Sequence, residues 1–294
     1  MDLKSYLAEK QRVVDVALDE YLPPEDRYPE VIYKAMRYSV LNGGKRLRPV
    51  LALAACEAVG GEIEAVMPAA CSIEFIHAFS LIHDDLPALD NDDLRRGRPT
   101  NHRIFGEAMA ILAGDALLAY AIETVTGRTK NVPAETVVEV TREIAAATGM
   151  SGMIVGQVVD LLCEGKKVEP ETLKFMHRNK TGALIKLSLI TGGMLGGANS
   201  EHLDALGLYG EKIGLAFQIA DDILDIEGSE DKLGKPIGSD IRNEKTTYPS
   251  LYGLDKSKEL ARQAVDDAVE ALSIFDERAD PLRAIAQYIV DRDN

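Results

Sequence analysis

The sequence predicts an all-α protein, a large single-domain helical bundle. Three observations carry this. Apolar residues recur at helical spacing through nearly the whole chain. No alternating period-two segment bounded by turns stands out, so essentially no sheet is expected. No shift in composition marks a domain boundary in the 294 residues, a length that allows one large core.

Residues 2–21 and 29–42 read as helices separated by Pro23-Pro24. Another follows Pro49 and ends near Gly60-Gly61. Residues 63–86 form a long apolar helix, interrupted where Pro87 removes a backbone donor. The stretch 88–100 is polar and irregular. Helices follow at about 101–126, 134–149, 150–164, 170–195 and 202–226. Residues 227–246, EGSEDKLGKPIGSDIRNEKT, are rich in glycine and charge and read as a flexible loop or lid beside a site. Helices at 255–274 and 281–291 close the chain.

A hydrophobic fraction of 46% fits an ordinary globular protein, and a net charge of -15 argues against a nucleic-acid partner. Cys56, Cys71 and Cys163 are widely spaced in apolar context and read as buried, reduced thiols of a cytoplasmic protein. The charged, amphipathic N-terminus carries no secretory signal. No uninterrupted apolar run is long enough to span a bilayer, so no stable membrane insertion is expected.

Two aspartate clusters dominate the chemistry. Asp84-Asp85-Leu86-Pro87-Ala88-Leu89-Asp90 ends one apolar helix, and Asp221-Asp222-Ile223-Leu224-Asp225 ends another. Asp221 and Asp225 share a helix face, where like charges repel. One such cluster is as easily a solvated helix end. Two of them, each preceded by apolar residues, call for cations, and magnesium takes a few carboxylates while sharing its other positions with water and phosphate oxygens. An EF-hand loop fits poorly, because Asp90–Arg95 lacks glycine at its sixth position.

Basic islands stand out against the acidic average: GGKRLRP at 43–49, Arg95-Arg96-Gly97-Arg98, Lys180-Thr181-Gly182, Lys235 in LGKP, and Lys245. Arginine forks and lysine point charges bind phosphate, and glycine lets the backbone approach it. Together they point to a diphosphate site. His77 lies two turns before Asp84 on the same stripe, with Ser80 between them.

With HAFSLIHDDLPALDNDDLRRGRPTNH at 77–102, GD at 114–115, GQVVD at 156–160, FQIADDILD at 217–225 and KTTYP at 245–249, these tracts resemble the trans-isoprenyl diphosphate synthases over nearly the whole chain. The resemblance implies the isoprenoid synthase fold, with the two Asp motifs facing across a deep central cavity. It implies a single polyprenyl synthetase domain over 1–294 and head-to-tail condensation of isopentenyl diphosphate with an allylic diphosphate. By motif position Asp84, Asp90 and Asp221 would bind about three magnesium ions, supported by Asp85 and Asp225, with Asp222 beside them in the second motif. Arg95, Lys180 and Lys235 would hold the allylic diphosphate. Lys45, Arg48, His77 and Arg96 would hold isopentenyl diphosphate. Gln218 would line the site, the Thr181 carbonyl would lie near the developing cation, and Lys245 would help close the lid. A homodimer is also implied, and Gly192-Gly193 and Gly196-Gly197 offer places for close helix approach.

Phe79, fifth before the first Asp, with small Ser80 beside it and two extra residues in the motif, is similar to the pattern of farnesyl (C15) enzymes. The alternative is geranylgeranyl (C20), with Phe79 simply core. A terpene cyclase would be expected to lack GGKRLRP, and a silent regulatory subunit to have lost Asp or Arg positions. Neither loss is seen.

Overall fold

The structure is a computed structural model and describes residues 1–227 and 246–291. Helices α1 (Leu3–Tyr21), α2 (Glu30–Val40), α3 (Leu47–Ala58) and α4 (Ile63–Asp84) come first. A ribbon of two-residue strands, β1 (Leu94–Arg95) and β2 (Arg98–Pro99), pairs antiparallel. Then come α5 (Asn101–Phe105), α6 (Glu107–Arg128), α7 (Ala134–Thr148) and α8 (Met153–Cys163). The second half holds α9 (Pro170–His177), a π-helical turn (Arg178–Gly182), α10 (Ala183–Leu195) and α11 (Ser200–Glu227). It ends with α12 (Tyr248–Tyr252), α13 (Leu254–Ala271), a 3₁₀ turn at Glu277–Ala279 and α14 (Asp280–Asp291).

One apolar core gathers residues of α1, α2, α4 and α6, and a second gathers α3, α10, α11, α13 and α14. Helix α4 is buried on all sides from Val66 to Ile76, which is why its sequence reads apolar without a polar face. That corrects one expectation. By length and composition Ile63–Asp84, Glu107–Arg128 and Ala134–Cys163 are each apolar enough to cross a membrane, although 78% of the first is buried within the fold. The glycines of α10 are used inside the chain. A Cβ on Gly192 would stand 2.0 Å from the Ala52 carbonyl oxygen, so α10 lies directly on the backbone of α3.

Other departures have local causes. Gly106, at φ 84°, breaks the expected 101–126 helix into α5 and α6. The π-turn divides 170–195. Residues 88–100 contain the small ribbon, whose turn uses left-handed Arg96 (φ 53°) and Gly97 (φ 75°), as two-residue hairpin turns require. Helix α12 starts on a capping box between Thr247 and Ser250. Cys56 and Cys71 are buried as expected, but Cys163 is only half-buried.

Candidate active site

Both Asp clusters fall at helix C-termini, α4 for the first and α11 for the second. The helix dipole is negative there, so it adds to the mutual repulsion of the carboxylates rather than relieving it. The first motif then turns sharply: Asp90 N–H donates to the Asp84 carbonyl at 2.8 Å, folding Asp90 back beside Asp84.

The partners of these carboxylates come from distant parts of the chain. Asp85 is buried and accepts from Arg95 Nε at 2.7 Å. Lys180, carried on the π-turn, makes an ion pair with Asp160 of α8 and also feels Asp84 and Asp90. Single π-turns inside helices recur at functional sites, because they re-aim a side chain without ending the helix. The glycine of the GQVVD tract explains the approach of α8. A Cβ on Gly156 would lie 2.2 Å from the Lys180 backbone nitrogen. Asp84 is pushed up to about 6, first by burial and then by Asp90 and Asp85, against the pull of Lys180 and Arg95.

A second, basic group lies along α3 and α4. His77 is driven well below its ordinary range by burial and then by Arg48, Arg96, Arg95 and Arg46, so it is neutral among four guanidinium groups. Arg48 feels Glu74 first and then Asp221 of the second cluster, and its Nε is buried with no hydrogen-bond partner. A buried donor without an acceptor is what a phosphate oxygen would satisfy. Arg96 donates to the Gly43 carbonyl, and its guanidinium lies where a Gly44 side chain would be. Lys45 is exposed. Arg46, in the same tract, has a different job. It is buried and donates to Glu74 at 2.8 Å, Asp15 at 2.7 Å and the Val40 carbonyl at 2.8 Å.

Thr181, Gln218, Asp222, Lys180 and Asp160 line a cavity of about 160 Å³ beside the π-turn. Asp222 Oδ2 accepts the Tyr248 N–H at 2.9 Å and so ties α11 to α12. Asp225 is buried and Asp221 half-buried. Lys235 and Lys245 lie outside the described residues, as does nearly all of the 227–246 loop.

The expected metal ligands do not form a cage. Among the described residues no group of three or more His, Cys, Asp or Glu side chains stands ready to chelate an ion. The reason is visible in the partners: Arg95 occupies Asp85, the Tyr248 N–H engages Asp222, and Lys180 lies by Asp84. This fits magnesium held by one or two carboxylates plus substrate phosphates, which is that ion's habit, better than a site built from protein alone. The donors are all hard oxygens, and the repulsion that Asp90 and Asp85 add to the burial of Asp84 is what a divalent cation relieves.

Phe79 is buried and packs edge-on against His83, ring centroids 5.0 Å apart at 84°. His83 Nε2 lies 3.1 Å from the Ile111 carbonyl, and a Cβ on Gly114 would meet its ring. Phe79 therefore belongs to the face of α4 turned toward α6. At 3.6 residues per turn it sits about 140° around the helix from Asp84, whereas Ser80 is about 40° away. The Ser80 hydroxyl folds back onto the His77 carbonyl at 2.9 Å.

Sequence reasoning passed over three residues. Arg46 looked like its neighbours, Asp160 was one motif letter among several, and buried His177, beside Asp160 and Lys180, gave no signal of its own.

The polyprenyl synthetase model matches residues 29–285. The chain is 49% identical to a geranylgeranyl diphosphate synthase of Cyanophora paradoxa, covering 100% of this chain and 97% of that one. It is 50% identical to the chloroplastic geranylgeranyl pyrophosphate synthase of Capsicum annuum, covering 100% of this chain and 79% of that one. A crystal structure of an FPP/GFPP synthase from Zymomonas mobilis superposes with a TM-score of 0.88 at 39% identity, covering 98% of this chain and 99% of that one.

Proposed function

The chain belongs to the polyprenyl synthetase family of prenyltransferases, and we propose that it condenses isopentenyl diphosphate with allylic diphosphates up to the C20 product, geranylgeranyl diphosphate. The observation that carries the reading is the meeting of Lys180, from the second half, with Asp84 and Asp90 of the first, next to a separate basic group around Arg48 and His77. Two anion sites side by side are what a two-diphosphate condensation needs.

In this reading Lys180 and Arg95 hold the allylic diphosphate, with Lys235 and Lys245 as further cations for it. Asp84, Asp90 and Asp221, backed by Asp85 and Asp225, hold about three magnesium ions, which when bound neutralise diphosphate charge. The allylic carbon–oxygen bond breaks with its electron pair leaving on diphosphate. Cationic side chains aimed at that oxygen stabilise the charge as it develops. The Thr181 carbonyl and Gln218 face the carbocation. Arg48, His77, Arg96 and Lys45 hold isopentenyl diphosphate so that its alkene attacks. A carbon–carbon bond forms, and the released diphosphate takes the proton. Neutral His77 donates or accepts a hydrogen bond without adding charge.

The C20 assignment draws on the geranylgeranyl synthases among the relatives and on the small Ser80, rather than Phe79, being nearer the line beneath Asp84. Phe79 favours a second reading, C15. Purified protein with magnesium, labelled isopentenyl diphosphate and geranyl diphosphate should give mainly C20 prenol after dephosphorylation. Phe79→Ala should leave that length unchanged. Mainly C15, lengthening in Phe79→Ala, would replace C20 with the farnesyl reading. No magnesium-dependent condensation would move the chain to the regulatory-subunit class.

The reading includes one catalytic domain over 1–294, working in the cytoplasm as a homodimer. Apolar side chains exposed on α6 (Ile111, Leu112) and on α8 (Val158, Leu162) support the pairing, because a helix this apolar needs a covering partner. Light scattering should give a dimer for the native protein and a monomer for Leu112→Asp/Leu162→Asp. A native monomer would end the dimer proposal.

A further inference from the structure

Lys180, assigned above to the allylic diphosphate, already has a buried carboxylate partner from another helix. That partner is Asp160, which is 8% exposed. We infer that Asp160 is a positioning residue: it touches no substrate, and it holds the Lys180 ammonium over Asp84 and Asp90 in the place where the allylic diphosphate is received. The inference rests on the diphosphate-binding reading given above.

The local construction is specific. Gly156 and Asp160 are four residues apart on α8 and share one face. The bare Gly156 lets that face press on the π-turn backbone, which brings Asp160 within reach of Lys180. Lysine has a flexible four-carbon stem and no intrinsic direction. Without Asp160 its ammonium would be drawn fully onto Asp84 and Asp90, the carboxylates needed for magnesium. Asp160 thus shares the charge between two sides and keeps the first Asp motif open. His177, buried at 7% exposure one turn before Lys180, supplies no competing cation: burial first, then Lys180, take it to about 4 against the opposing pull of Asp160. Its Nδ1 has no hydrogen-bond partner, so it does not engage the Asp160 carboxylate through that atom.

A purely structural Asp160 would affect stability and every ligand alike. A positioning Asp160 acts only through Lys180. The test uses calorimetric binding of inorganic diphosphate with magnesium, which needs no turnover, together with condensation kinetics. Asp160→Asn, nearly isosteric, should weaken magnesium-diphosphate binding about tenfold, the scale of one charge-assisted hydrogen bond. It should raise KM for the allylic substrate and leave KM for isopentenyl diphosphate within about twofold. Asp160→Glu should restore much of the loss. In a Lys180→Gln background, Asp160→Asn should change diphosphate binding by less than about twofold, the signature of two residues acting as one unit. Equal losses in both backgrounds, or unchanged binding in Asp160→Asn with native Lys180, would overturn the inference. If native protein binds magnesium-diphosphate but condenses nothing, the synthase reading fails while the Asp160 result still decides this one. If native protein does not bind it, the inference is wrong.

Discussion

Asp84→Asn is expected to reduce condensation by about a hundred- to a thousandfold while making the metal-free protein more stable near pH 8. The first half follows from chemistry. Asparagine keeps the shape but removes the charge that would ligate magnesium against the departing diphosphate, and a single electrostatic group aimed at developing charge contributes on the order of a hundred- to a thousandfold in rate. The second half follows from the raised carboxyl at about 6. A carboxyl that ionises less readily folded than unfolded binds more protons in the native state between about 4 and 6. Its contribution is therefore present below the unfolded value of 3.8 and lost as pH rises through the folded value. Above that, ionised Asp84 costs about 1–2 kcal/mol after allowance for screening. Asparagine removes that cost. Urea titrations in chelator should show the variant gaining about twice as much at pH 8 as at pH 5, because the unfolded carboxyl is already ionised at pH 5. Magnesium with diphosphate should stabilise native protein and not Asp84→Asn. A variant whose gain over the native protein is the same at both pH values, or that retains a tenth of native activity, would contradict this account.

Most of this site is legible in the chain because charge at the end of an apolar helix is costly and therefore conspicuous. Asp84 and Asp221 announce themselves in this way, and so do Lys180 and Arg95 against a background of -15. The long helices are equally plain, since their cores repeat at 3.6 residues. What escaped depends on backbone detail that periodicity does not encode. The π-turn at Arg178–Gly182 adds no residue that a continuous helix would refuse, so 170–195 reads as one element. The capping box of α12 uses Ser250 where glutamate or glutamine is the usual signal. Phe79 shows a further limit. Counting five residues back from Asp84 gives its depth, but only the contact with His83 gives its direction. Arg46 and Arg48 show it most sharply, two arginines in one tract with opposite surroundings. Arg46 has a left-handed backbone at φ 50° at the start of α3, and its guanidinium turns to Glu74, Asp15 and the Val40 carbonyl.

That difference sets the last expectation. Arg46→Met should destabilise the protein by about 3–5 kcal/mol, the usual consequence of removing one partner from a buried ion pair. The Glu74 side chain is 5% exposed and would be left charged, desolvated and without its guanidinium. Asp15, 42% exposed, would lose little, because water replaces its partner. The Val40 carbonyl would lose its donor as well. Much of the cost belongs to the stranded Glu74 rather than to the pair, so Arg46→Met/Glu74→Leu should recover most of it, a coupling that separate sites would not show. Arg48→Met should behave in the opposite way. Its Nε has no partner to lose, so unfolding in urea should be native-like or slightly more resistant, while KM for isopentenyl diphosphate rises at least about tenfold. Equal shifts of the urea midpoint for the two arginine variants would mean that both serve the fold. Full recovery of activity in Arg46→Met/Glu74→Leu would show that this pair serves only to hold GGKRLRP in place, leaving phosphate recognition to the residues on either side of Arg46.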